Sequence, residues 1–153
     1  MTRRTPILAI VLAPVALYLL VQLWHRALVP LYLSAWYSDT VLQWRLASDQ
    51  PASRMGAIKD IASPHAEGTE LLDEVVTRLQ TDESLEVRKV AATTIGRLGR
   101  RQPLTDEAMG ALSTVVLTAQ DDGLLLAAIG AVGESAPKNR YPDPVVERIA
   151  GIV

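Results

Sequence analysis

Four pairs of adjacent carboxylates, Asp73-Glu74, Asp82-Glu83, Asp106-Glu107 and Asp121-Asp122, are the groups in this chain best equipped for chemistry. Two carboxyl groups held close together can act as general acid and general base when their environments push their pKa values apart. Each pair here lies at a helix start or in the turn before one. Acids at such places accept from unpaired backbone N–H groups and complement the positive end of the helix dipole. That structural role accounts for all four pairs. The histidines, His25 and His65, are not at ligand spacing, and there is no cysteine, which excludes disulfides, thiolate metal sites and thiol catalysis. No glycine-rich turn leads into a Lys-Ser or Lys-Thr pair, and no nucleophile elbow is present. The expectation is therefore a protein without enzymatic activity, metal or cofactor.

Composition agrees with a helical, partner-binding chain. Apolar residues make up 49% of the 153, yet aromatics are 5% and Phe is absent, so Ala, Leu, Val and Ile must build the core. Small aliphatic side chains suit close-packed helices. The net charge of −2 is unevenly spread, because Arg3, Arg4 and Arg26 precede all 17 acids. Residues 27–153 carry 12 basic against 17 acidic side chains, the wrong balance for tracking phosphates, so nucleic acid is not an expected partner.

The first 38 residues read differently from the rest. Thr5 to His25 holds no Asp, Glu, Lys or Arg, and Ile7 to Val21 is apolar except for Tyr18 and Pro14. Twenty-one helical residues reach about 30 Å, the thickness of a bilayer core. No pair of small residues suits signal cleavage at Ala27 or Ala35. Residues 1–26 are thus expected to form an uncleaved transmembrane anchor and 27–38 an interfacial segment. Trp24, Tyr32, Trp36 and Tyr37 would lie at the lipid boundary or against membrane subunits. The arginines before the span point to a cytoplasmic N-terminus and a periplasmic domain at a bacterial inner membrane.

From residue 39 onward the apolar residues recur at helical spacing. Val87, Val90, Ala91, Ile95 and Leu98 define the clearest face, in a stretch from Asp82 to Gly99 whose helix is expected to close at Gly96–Gly99. Flanking helices are expected over Thr40–Ala47, with Val41, Leu42, Trp44 and Leu46 as its apolar members, Ala52–Ala62, a segment capped by Thr69, one capped by Thr105, Leu124–Ser135 and Val145–Ile152. Pro51, Pro64, Pro103 and Pro142 punctuate them. Ala57, Ala91 and Ala128 recur at intervals of 34 and 37 residues, with Ile61, Ile95 and Val132 each four residues later. A period in this range is the signature of a stacked helix-pair array.

The stretch Asp82…Val87-Arg88…Ala91…Ile95-Gly96…Leu98 resembles the HEAT repeat family, α-solenoids of helix pairs found in many scaffold proteins. The resemblance covers about residues 38–135 and implies an all-α fold of about three helix pairs in residues 39–153. It also implies a polar ladder between adjacent repeats, with roles for Asp82 and Arg88. Asp49 and Arg54 stand one residue closer together, and Leu125 occupies the matching Arg position in the third copy.

One helix departs from the usual two-faced pattern. Gly123 to Gly133, GLLLAAIGAVG, is apolar all round. Either the last helix folds over it as a cap, or Leu124, Leu125, Leu126, Ile129 and Val132 form a docking patch. The function read from these features is a non-catalytic accessory or scaffold subunit of an inner-membrane complex, contacting protein subunits and the lipid bilayer. The alternative is a membrane-tethered periplasmic adaptor that recruits a soluble client.

Overall fold

The computed structural model describes residues 18, 20–22, 24, 26, 39–63 and 71–152. The chain divides into a unit Met1–Trp36 and a unit Tyr37–Val153. In the first unit, Tyr18, Leu20, Val21 and Trp24 are exposed at helical positions. The second is all-helical among the described residues: α1 Asp39–Leu46, α2 Pro51–Ile61, α3 Leu72–Thr81, α4 Leu85–Arg101, α5 Asp106–Thr118, α6 Asp122–Ser135 and α7 Asp143–Ala150.

The expectation of a membrane anchor is corrected. Among the described residues no helix is long and apolar enough to cross a membrane. The single-pass fold and the inner-membrane location, with cytoplasmic N-terminus and periplasmic domain, are not supported. Most of the Thr5–His25 stretch lies outside the described residues, as do Tyr32, Trp36 and Tyr37. Within the second unit the physical reason is plain. α6 is the most apolar helix but has 14 residues against the ~20 that a bilayer needs, and α4, with 17, carries five cations.

The helices pack in two layers. α1 pairs with α2, α3 with α4 and α5 with α6. Consecutive second members stack as α2–α4–α6, and consecutive first members as α3–α5–α7. One continuous core runs through the pairs. The two rows read from the sequence are its floor: Ala57, Ala91 and Ala128 are fully buried, and Ile61, Ile95 and Val132 lie just beside them. Leu42, Leu79, Leu112 and Val145 fill the layer between. Each buried Leu, Ile or Val contributes about 1.5–3 kcal/mol, which is how short helices become stable together when none would be alone.

Several local expectations are revised. Trp44 is 75% exposed, while Leu42 and Leu46 take the inward positions of α1. Helix α4 does not close at Gly96–Gly99 but runs through both glycines to Arg101, with right-handed backbone throughout. The glycines are there for close approach. A Cβ on Gly96 would sit 2.5 Å from the Cα of Ala131, and one on Gly99 would sit 2.4 Å from the Cβ of Ser135. The α4–α6 pair is therefore packed backbone to backbone. The expected Thr69 cap lies outside the described residues, whereas Thr105 and Asp121 cap α5 and α6 by accepting from the backbone N–H of Ala108 and Leu124. The last helix does not cover α6; it packs on α5.

Candidate functional site

The strongest polar feature is an ion pair between adjacent helix pairs, in which Asp82 takes part and Arg88 does not. Arg54, the fourth residue of α2, donates from Nε and Nη2 to the two oxygens of Asp82, both at 2.8 Å. Asp82 belongs to the turn before α4, so the bond ties the first helix pair to the second. Arg54 is 4% exposed and its remaining nitrogen donates to the carbonyls of Ser48 and Asp49 at 2.8 and 3.1 Å. The Asp82 carboxylate also accepts from the Ser84 backbone N–H at 2.9 Å. Burial opposes its ionisation, but the Arg54 and Ser84 hydrogen bonds and the charges of Arg54 and Arg78 outweigh that, and its pKa lies below the ordinary carboxylate value.

Arg88 does not pair with Asp82. Its Nε donates to the carbonyl of Leu79 at 2.9 Å, closing the turn of its own helix pair. The geometry explains why the ladder stops. Arg54 and Arg88 are each the fourth residue of their helix, and Asp82 stands three residues before α4 begins. Three residues before α6 stands Ala119, which offers Arg88 no carboxylate. Lys89 makes the link to the third pair instead, 3.4 Å from Asp121 and 3.1 Å from Glu86.

A cleft of ≈ 300 Å³ opens beside the Arg54–Asp82 pair, lined also by Asp49, Arg78, Thr81 and Glu83. Several of its charged groups pair with neighbours: Arg78 lies 3.1 Å from Glu74 and 3.8 Å from Asp82, and Glu83 lies 3.6 Å from Arg54, while the Nε of Arg78 is buried without a hydrogen-bond partner. An Asp held ionised by two arginines is a poor proton donor near neutral pH. The four carboxylate pairs stand at or just before the starts of α3, α4, α5 and α6, and among the described residues only Glu74 and Asp82, of different pairs, share a partner, Arg78. Among the described residues no cluster of three His, Cys, Asp or Glu side chains could hold a metal ion. The C-terminal end of the array is closed by a second polar staple. Asn139 accepts from the Leu104 backbone N–H at 2.7 Å and donates to the Ser135 carbonyl at 2.8 Å, and the Tyr141 hydroxyl lies 2.7 Å from Ser135 Oγ.

The predicted docking patch on α6 divides in two. Leu124 and Val132 are buried, so they belong to the core and not to a surface. Leu126 is 63% exposed, with Leu125 and Ile129 half-buried beside it. Gly130 and Gly133 share the outer face, and a Cβ at either would meet nothing within 4 Å. Sequence reasoning counted the apolar residues of α6 but had no measure of which side its neighbours cover. Of the aromatic candidates, Trp24 is 58% exposed.

No protein-family model, curated protein or solved structure matches the chain.

Proposed function

We propose that the chain is a non-catalytic scaffold, a short HEAT-like array of helix pairs that docks a partner protein on its surface. The observation that carries this reading is the outer face of α6, where Leu126 is 63% exposed and the last helix packs elsewhere, on α5. Burying one such leucine contributes about 2 kcal/mol, a typical anchor contribution at an interface. Supporting it, buried polar groups among the described residues hold helix pairs together: Arg54–Asp82 between the first two pairs, and Asn139 and Tyr141 at the C-terminal end. A cooperative array with its polar groups so occupied is suited to presenting a surface.

The test is recovery of tagged full-length chain from its native cells, beside the Leu126→Glu variant. One protein recovered in stoichiometric amount with the wild type and lost with the variant supports the reading. Recovery of the wild-type chain alone refutes it.

A further inference from the structure

The three stacked helices α2, α4 and α6 place equivalent residues in rows, and the rows show what the outer face of α6 is shaped to receive. Using the intervals of 34 and 37 residues, Ile58, Ala92 and Ile129 are equivalent, as are Ala62, Gly96 and Gly133. Ile58 on α2 and Ala62, the residue that caps it, are buried, and α4 packs on α2. Ala92 and Gly96 are buried on α4, which α6 covers. Ile129 and Gly133 occupy the same places on α6, yet Ile129 is half-buried and Gly133 exposed. The row is filled, filled and open.

Gly96 shows what fills it. The residue seated against Gly96 is Ala131, so close that any side chain on the glycine would strike its backbone. One turn on, Ser135 sits against Gly99 in the same way. The covering helix thus presents small residues four apart. Gly133 repeats the Gly96 position with open space above it, and Leu126 lies two turns before it on the same face.

We infer that the outer face of α6 is a socket for an α-helix of a partner protein, which docks as the next member of the α2–α4–α6 stack. Its recognising chemistry is an apolar stripe with Ala, Ser or Gly over Gly133, flanked by residues that cover Leu126 and Ile129. A second copy stacked in line is a poor occupant. The α2 residue equivalent to Ala131 and Thr94 is Asp60, whose carboxylate pairs with Arg45 at 2.6 Å, and docking would bury that ion pair against an apolar face.

The inference rests on the docking function proposed above and adds the class of ligand. The probe is a fluorescent peptide copying residues 120–136, the segment that covers the equivalent face of α4, titrated against the full chain. Saturable binding is expected, weakened about tenfold or more by Gly133→Leu, which forces a branched side chain into a close helix contact. Gly110→Leu is the matched control: Gly110 is an exposed glycine on α5 with equally open surroundings, and that variant should bind as the wild type does. Circular dichroism should show both variants folded, because the Cβ of either new side chain meets nothing within 4 Å. Absence of binding, or equal binding to Gly133→Leu, overturns the inference. So does self-association of the chain that Gly133→Leu abolishes, which would make the occupant a second copy. If a partner captured from cells is lost with Leu126→Glu but kept with Gly133→Leu, the docking function stands and the helix socket fails.

Discussion

Replacing Gly96 with alanine adds one methyl group to a helix that would ordinarily prefer alanine, and the outcome depends on what that methyl meets. In an open helix interior, Gly→Ala stabilises by about 1 kcal/mol, because glycine gives up more backbone freedom on folding. At Gly96 the new carbon would sit 2.5 Å from Ala131 Cα, 2.8 Å from its Cβ and 3.0 Å from its carbonyl oxygen. Two of these are backbone atoms and cannot rotate away, so α6 must move outward by about an ångström. Overpacking of this kind costs about 1–3 kcal/mol, and the rigid neighbour argues for the upper part of that range. Net of the propensity gain, Gly96→Ala should destabilise by about 1–2 kcal/mol. Gly133→Ala, at the equivalent place with nothing within 4 Å, should stabilise by up to about 1 kcal/mol. With a urea slope of about 2 kcal/mol/M, the two midpoints should differ by about 0.5–1.5 M. Urea titrations followed by circular dichroism at the helix band, on variants of the full chain, measure this directly. A Gly96→Ala chain as stable as wild type would refute the backbone-to-backbone packing of α4 on α6.

Other outcomes follow from the polar staples. Asp82→Ala should cost about 3 kcal/mol, because it leaves the Arg54 guanidinium buried without its carboxylate, while the double change Arg54→Met with Asp82→Leu should lie within about 1 kcal/mol of wild type; a double-mutant cycle in urea reads the coupling. Because the pKa of Asp82 is depressed in the folded chain, its contribution is complete above the ordinary carboxylate value of about 4 and is lost as pH falls through the lower folded value. Urea midpoints measured stepwise below that pH should therefore fall less steeply in Asp82→Asn than in wild type. Tyr141→Phe, which removes the buried hydroxyl bonded to Ser135, should cost about 1 kcal/mol in the same assay. Asn139→Ala should cost about 1–3 kcal/mol, since the Leu104 N–H loses its acceptor, and faster hydrogen exchange at Leu104 would localise the effect.

Much of the array was legible in the chain before any coordinates. The rows Ala57–Ala91–Ala128 and Ile61–Ile95–Val132 were readable because periodicity reports which face of a helix is apolar, and the structure buries all six. The same reasoning misplaced Trp44, since the apolar stripe of a short helix is poorly defined over two turns and Leu42 and Leu46 were enough to fill the core. It also assigned Leu124 and Val132 to a docking patch. In a helix apolar all round, periodicity carries no contrast, and nothing local distinguishes the covered side from the open one.

Residue pattern alone determined the helices, their pairing period and the core rows, because these depend on side chains within one or two turns of each other. The tertiary structure decided the rest. Asp82 takes Arg54 and not Arg88, because the pair crosses between repeats, where the distance depends on how α2 and α4 are offset. Gly96 and Gly133 are the same residue at the same register, and one is enclosed while the other is open, because α6 covers the first and α7 lies on α5. Translation and layering between helices leave no period in a single chain, so they become readable only once the helices are stacked.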